Sequence, residues 1–497
     1  MNKSVFITLI IFSMALVIVS KPVEADDSIS VAAVTAENTA IYSSPNSDSQ
    51  VVKHLAKGEE FPIIDQKDAA EPKRHTVAIG DTLYLIAKKY GVTVAELQRV
   101  NKILGTRLYV GQQIMIPQEW ISHRVERADA LWKIERKYNV SADLLIKVNR
   151  LDSIVLEHGA ELKIPAEYYQ LQLLGGKAGW INKFEVGVLE LDRFNLGWKY
   201  NGTSEAYNKQ LHINGLDVVS PRWYTLSQTE LIEINENINY AKEAAKAGKQ
   251  VWPLFGNKFD PELTNEILTD AHKREKVIKK VTESLLRTQS QGINVDFENI
   301  DPKNKQDYVG FVQELKTKLE PYHIAVSVDV SRENADPFWS GSLDREGLGK
   351  AADYIVMMGY DEHWASSPKA GSVASIPWTS EGIELLMREV PAHKIILGVP
   401  FYTREWITDG NGQVRSIDRT ILETEKLIKD KGLDKKWDPH TLQNYVEFIE
   451  NGEKHQIWVE DETSMKLRSD LVEKYHLRGS AAWYVGGGPA DIWNILK

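Results

Sequence analysis

Downstream of about Gly179 the chain alternates two patterns. Short runs of β-branched and aromatic residues lie at 194–200, 216–223, 250–255, 292–298, 324–330, 353–360, 394–401 and 479–485. Several show no polar alternation, as parallel strands buried on both faces require. Longer stretches with apolar residues at helical spacing separate many of them, at 230–247, 275–289, 305–319 and 380–390. Eight strands separated by helices over about 320 residues predict a (β/α)8 TIM barrel. The gap from Thr403 to Leu477 is too long for one crossover. It predicts a small α+β insertion, with 457–460 as one of its strands.

The fourth run reads Gly292-Ile293-Asn294-Val295-Asp296-Phe297-Glu298-Asn299-Ile300. Side chains alternate along a strand, so Asn294, Asp296 and Glu298 share a face while Val295 and Phe297 point the other way. Acids are expensive to bury, so two on one face imply convergence on a site. Barrel active sites lie at the carboxyl ends of the strands. Glu298 then stands at the rim, with Asp296 one layer deeper, roughly 6–7 Å along the strand. Both acids approach a substrate from one side. An inverting glycosidase instead places its pair about 6.5–9.5 Å apart on opposite sides of the sugar. The one-sided pair suits a substrate-assisted reaction. Glu298 protonates the leaving oxygen, the substrate's 2-acetamido oxygen attacks, Asp296 orients the acetamido N–H, and Glu298 then serves as base. The competing readings are a buried structural pair and a barrel that binds glycan without turnover.

Upstream, an internal repeat holds at one offset. His75/His123, Asp81/Asp129, Leu83/Leu131, Tyr90/Tyr138, Leu97/Leu145, Asn101/Asn149 and Pro117/Pro165 all differ by 48. Two copies of one small fold are therefore present. Each reads strand, helix (82–90 and 130–138), helix (93–101 and 141–149), strand. Thr93 and Ser141 stand as N-caps. Between residues 30 and 65 alternating apolar positions separated by turn residues predict short strands. Residues 66–73 are charged and contain a proline, and read as a linker.

These segments resemble known families. His75-Thr76-Val77, Gly80-Asp81-Thr82-Leu83, Tyr90-Gly91-Val92, Asn101 and Gly111–Pro117 resemble the βααβ LysM module, which implies binding to N-acetylglucosamine glycans such as peptidoglycan and chitin. The second copy carries Ala128-Asp129-Ala130-Leu131 instead, which implies an altered sugar-binding turn. The segment before the repeats resembles a small all-β SH3-like barrel. Residues 291–298 resemble the strand-four signature Asp-x-x-Asp-x-Asp-x-Glu of family 18 glycoside hydrolases. The resemblance implies Glu298 as acid/base and Asp296 as its positioning partner. Gln291 and Asn294 stand where that signature has acids, which implies an Asp296 that ionises more readily. Met358-Gly359-Tyr360-Asp361 resembles the family's Met-x-Tyr-Asp. It implies Tyr360 on the acetamido carbonyl and Asp361 on the sugar. Ala481-Ala482-Trp483 implies Trp483 as a floor under the reacting ring. The runs 360–364, 370–375 and 397–402 resemble the bacterial branch that couples LysM modules to wall or spore-cortex hydrolysis. Asn294, Trp223 and Trp364 complete the expected substrate-binding set, with Trp252 also near a strand end.

The resulting layout is a signal peptide at 1–25, an SH3-like domain at 26–67, LysM modules at 74–118 and 122–166, and a catalytic barrel at 178–497. Asn2 and Lys3 precede an apolar run from Val5 to Val19, and Val23-Glu24-Ala25 offers a cleavage site before Asp26. The run is shorter than the about 20 residues of a membrane span, an uncleaved anchor being the alternative. Cysteine is absent, which excludes disulfides, thiolate metal sites and a lipid-anchored cysteine. The net charge is −10, and the repeat region, with 14 basic against 10 acidic residues, is too weakly basic to argue for nucleic acid. Asp361-Glu362-His363 are poor co-ligands, because adjacent strand residues face opposite ways. The chain is therefore expected to act as a monomer on peptidoglycan or chitin-like glycans, without metal or cofactor, secreted and wall-associated, with the spore envelope as one location.

Overall fold

The computed structural model describes residues 28–45, 49–67, 74–90, 94–101, 103, 105–116, 120–138, 140, 142–149, 151, 153–165, 167–199 and 208–496. The expected signal peptide and the N-caps Thr93 and Ser141 lie outside the described residues. Eight parallel strands form the barrel: β1 (Phe194–Lys199), β2 (Val218–Ser227), β3 (Leu254–Gly256), β4 (Gly292–Asp296), β5 (Ala325–Ser331), β6 (Tyr354–Met358), β7 (Ile395–Pro400) and β8 (Gly479–Trp483). Each pairs with the next, and β8 closes onto β1 with Phe194 opposite Gly479. Alternation sorts the side chains. Leu196, Trp198, Val218, Leu254, Val356 and Ile396 fill the barrel interior. Val219, Ile293, Val295, Val328 and Leu397 face the surrounding helices. No helix among the described residues is long and apolar enough to cross a membrane.

The helices follow their caps. Asp270 accepts from the backbone N–H groups of His272 and Lys273 and opens Ala271–Thr288. The helix expected over 230–247 is shorter. Leu231–Ile234 is a strand antiparallel to the end of β2, and the helix spans Ile238–Lys246 behind the N-cap Asn237. The pattern blurred the two because Leu231, Ile232 and Ile234 also fit helical spacing.

The segment expected as a self-contained domain at 26–67 is not closed by its own strands. Ser28–Val34, Thr39–Tyr42, Val51–Leu55 and Glu60–Lys67 join Tyr168–Gln172, Ala178–Asn182 and Val186–Asp192 in one seven-stranded sheet. Ala32, Ile41 and Phe61 share a core with Leu171, Leu173 and Ile181. A segment of about 40 residues buries too little apolar surface alone, and the later strands supply the rest. The barrel therefore begins at Phe194, and residues 178–192, expected within it, belong to this sheet. Both repeat modules are spliced between Lys67 and Tyr168. The sheet meets the barrel where the Gly175 N–H donates to the Met387 carbonyl (2.7 Å) and Glu60 approaches His393 (3.5 Å). His393 precedes β7, so the contact lies toward the barrel end opposite the strand C-termini.

The repeats fold alike. Helices Leu83–Tyr90 and Val94–Asn101 recur as Leu131–Tyr138 and Ala142–Asn149. Asn101 Nδ2 donates to Leu97 and Met115 carbonyls and Asn149 Nδ2 to Leu145 and Lys163 carbonyls, tying each second helix to its closing strand. Their rims differ. Ile79, Tyr109 and Val110 are exposed in the first copy, where Arg127, Glu157 and His158 stand in the second. Tyr138 also packs edge-on against Phe184 of the sheet domain, ring centroids 5.1 Å apart.

The insertion is a five-stranded antiparallel sheet of Tyr402–Thr408, Val414–Thr420, Lys436–Asp438, Gln443–Glu450 and Glu453–Val459, with helix Ile421–Lys431. A capping box of Thr420 and Glu423 starts that helix. The next helix, Glu462–Lys474, returns to the barrel wall.

Candidate active site

The β4 face falls as alternation predicts. Phe297 is buried outside the barrel against Phe255, Tyr308 and Phe311, at centroid distances of 4.9, 5.6 and 5.6 Å. Truncating such an aromatic to alanine costs about 3–5 kcal/mol. That packing fixes the strand end that carries Asp296 and Glu298. Asn257, at the end of β3, clamps it further. Its Nδ2 donates to the Glu298 carbonyl (2.7 Å), and its Oδ1 accepts from the Glu298 N–H (3.1 Å).

Asp296 and Glu298 keep part of their surface toward the barrel mouth but are walled in by protein. Their carboxyl groups lie close enough for each to shift the titration of the other. Burial pushes Asp296 up to about 6, only partly offset by the Arg222 guanidinium and by Glu298. Desolvation is the largest influence on this carboxyl, and the neutral Asn294 beneath it adds no charge of its own. Burial raises Glu298 well above the ordinary carboxylate range, helped by Asp296, Asp329 and Asp361. Of the two, Glu298 holds its proton to the higher pH. One Asp296 oxygen, Oδ1, has no hydrogen-bond partner and awaits a donor.

Asn294 lies fully buried beneath them and does not face the mouth. Its Oδ1 accepts from Trp198 Nε1 (2.7 Å), and its Nδ2 donates to Ser327 Oγ (3.0 Å) and Asp329 Oδ1 (2.6 Å). Its expected place in the substrate-binding set is therefore corrected to one of support. Gln291 is at the other end of the strand, where its Oε1 accepts from the Val251 N–H (3.0 Å). Seven residues at about 3.3 Å each put it roughly 23 Å below Glu298. Asp329 is the acid that sequence reasoning missed. It is buried on β5, and burial and Asp296 hold its carboxyl well above the usual range. Its signal was legible in Ser327-Val328-Asp329-Val330-Ser331, whose polar positions alternate inward like those of β4.

Tyr360 follows β6. Burial and the nearby acids keep its hydroxyl protonated far above neutrality. Asp361 turns through a left-handed φ of 65°, and its Oδ1 accepts from Tyr402 Oη (2.7 Å) and Arg404 Nη2 (2.9 Å). The insertion thus anchors Asp361 at the mouth. Its neighbours diverge: Glu362 accepts from the Ser375 N–H (2.7 Å), while His363 Nδ1 bonds the Ser372 carbonyl (2.9 Å). Trp483 ends β8, half-buried across the barrel from β4, its ring 5.9 Å from that of Trp198.

One expected residue falls elsewhere. Trp223 is 5% exposed and packs on Tyr240 in the outer core. A bulge between Arg222 and Tyr224 breaks the alternation, so Trp223 and Tyr224 both face outward. Trp364 is 55% exposed on the loop after β6. Two aromatics not foreseen, Phe259 and Trp339, stand exposed after β3 and β5 with centroids 5.8 Å apart, flanking the Glu298 loop.

A closed barrel with convergent acids at its mouth defines a glycoside hydrolase. The family model "Glycosyl hydrolases family 18" matches residues 198–488, and the LysM domain model matches 75–117 and 123–165. The chain belongs to family 18, with two LysM modules ahead of its barrel. Among curated proteins it is 27% identical over 275 residues to the uncharacterized glycosylase YvbX of Bacillus subtilis, covering 53% of this chain and 77% of that protein. It is 25% identical over 253 residues to the cortical fragment-lytic enzyme of Bacillus anthracis, covering 49% and 57%. The spore cortex-lytic enzyme SleL of Bacillus cereus shares the fold, with a TM-score of 0.57 at 21% identity over 86% of this chain and 98% of that one.

Proposed function

We propose that the protein is a secreted, wall-bound hydrolase of peptidoglycan that cuts β-1,4 bonds on the N-acetylglucosamine side with retention. The observation that carries the reading is the close approach of Asp296 and Glu298 on one face at the end of β4. Carboxyls this close leave no room for the water of an inverting pair, and they form one group on one side of the sugar. The nucleophile is then the substrate's own 2-acetamido oxygen. Glu298, held protonated, gives its proton to the leaving oxygen as the glycosidic C1–O bond breaks. The acetamido carbonyl oxygen closes on C1 to give an oxazolinium ion. The unpartnered oxygen of Asp296 receives the acetamido N–H, and the Tyr360 hydroxyl donates to the acetamido oxygen. Water then attacks C1 and loses its proton to Glu298, which restores the acid. Trp483 supplies an apolar floor.

The LysM modules and the likeness to a cortical fragment-lytic enzyme favour peptidoglycan over chitin. Both polymers carry the 2-acetamido group, so the reacting residues accept either. The test digests both polymers with wild type and Glu298→Gln and identifies the new reducing-end sugar by mass. The reading expects N-acetylglucosamine reducing ends from peptidoglycan with wild type and none with the variant, while both bind. Equal release by the two proteins, or release from neither, contradicts an enzyme. Release from chitin alone reassigns the substrate.

A further inference from the structure

Arg222 takes no part in the mechanism above, yet it stands on the catalytic face. In β2 it follows Val218 and Ser220 on the inward side, and the bulge that turns Tyr224 outward beside Trp223 comes directly after it. It is exposed midway along the strand, paired with Leu254 of β3, two residues before Gly256. Its guanidinium passes over Gly256, the residue paired with Asp296. A side chain at 256 would begin 3.7 Å from Arg222 Nη2 and 3.7 Å from the Asp296 carbonyl.

Among the described residues, Arg222 has no hydrogen-bond or ion-pair partner. The other cations at the mouth are engaged. Lys258 pairs with Glu233 at 3.0 Å, and Arg404 bonds Asp361 and Asp418. The charge of Arg222 acts on Asp296, while its donors stay free and offer a planar fork that matches a carboxylate. Arg222 lies beside the acids of the mouth, where a neutral sugar gives it nothing to bind in kind.

We propose that Arg222 determines specificity by recognising a carboxylate on the glycan, and that this carboxylate belongs to a muramyl residue next to the cleaved N-acetylglucosamine. The inference rests on the peptidoglycan reading and deepens it. Chitin carries no carboxylate. Muramic acid carries a lactyl acid on its 3-oxygen, either free or extended by a peptide that ends in further carboxylates. One contact thus distinguishes polymers that the reacting residues treat alike.

The test compares wild type, Arg222→Gln and Arg222→Lys on three substrates: intact peptidoglycan, glycan strands stripped of peptide by an amidase, and chitohexaose. The readout is the ratio of kcat/KM on each peptidoglycan substrate to that on chitohexaose. A ratio cancels any influence of Arg222 on Asp296, which acts on all substrates equally. The Gln variant is expected to lower the ratio roughly tenfold, and the Lys variant, which keeps charge but loses the fork, less. A fall on stripped strands assigns the lactyl carboxylate; a fall on intact polymer alone assigns the peptide. A ratio unchanged on both overturns the proposal. If wild type cleaves chitohexaose and neither peptidoglycan substrate, the functional reading fails instead. Equilibrium binding of stripped strands to Glu298→Gln with and without Arg222→Gln then still decides the contact, and equal affinities reject it.

Discussion

The LysM modules and the barrel mouth both use aspartates, and they treat them in opposite ways. Asp81 accepts from the Ala78 N–H (2.7 Å) and from His75 Nε2 (2.7 Å), and its copy Asp129 accepts from the Glu126 N–H (2.7 Å) and His123 Nε2 (2.9 Å). The backbone bonds first, then the histidines, hold both carboxyls below their ordinary range. Tyr90 and Tyr138 complete each triad at the far ring nitrogen. These are satisfied, ionised acids that fasten a turn. At the mouth, Asp296, Glu298 and Asp329 are crowded, buried and pushed the other way. An acid held protonated by its surroundings is a proton donor waiting for a substrate. Residue type alone does not separate structure from chemistry; satisfaction does.

The sharpest way to break this contrast is a pair of amide substitutions. Glu298→Gln is expected to lower kcat on soluble oligosaccharides by roughly a thousandfold or more, because it removes the general acid. Asp81→Asn is expected to leave that rate unchanged and to lower the melting temperature of the LysM transition by a few degrees. Assays and calorimetry on both proteins check the pair. Next in size, Tyr360→Phe removes one donor to the developing charge. It is expected to reduce kcat about a hundredfold with little change in KM.

The two LysM copies sharpen the comparison at lower amplitude. Tyr109→Ala, on the apolar rim of the first copy, is expected to weaken retention on insoluble glycan a few-fold in a pull-down. Glu157→Ala, the matching change in the second copy, is expected to leave it unaltered. The smallest effect is in pH dependence. Activity is expected to rise as pH climbs through about 6, where Asp296 ionises, and to fall at higher pH once Glu298 loses its proton. Asp329→Asn removes a carboxylate that raises Glu298. Glu298 then loses its proton at lower pH, so the basic limb of kcat/KM moves down while the acidic limb stays.

Much of this was legible in the sequence where local pattern decides structure. The eight barrel strands, the repeat and the alternation of β4 all follow from side-chain periodicity. What was not legible depends on distance or on a local break in period. The pairing of Glu60–Lys67 with Tyr168–Gln172 spans both LysM modules, and no local pattern reports it. Trp223 faces outward by plain alternation from Val218 and was misplaced by its nearness to the strand end, while the bulge reverses the face of Tyr224. Asn294 shares the face of the two acids and was expected to touch substrate, but its hydrogen bonds to Trp198 and Ser327 place it in the layer below them. Gln291 looked like a missing acid, yet it belongs to the opposite end of the barrel. Asp329 was visible as a pattern but acquires meaning only beside β4.

The central claim is that the acid pair acts from one side through the substrate's acetamido group. The most direct measurement is proton NMR of a soluble N-acetylglucosamine oligosaccharide during the first moments of hydrolysis, before the sugar mutarotates. The account predicts the β-anomer at the new reducing end. Initial formation of the α-anomer would contradict it.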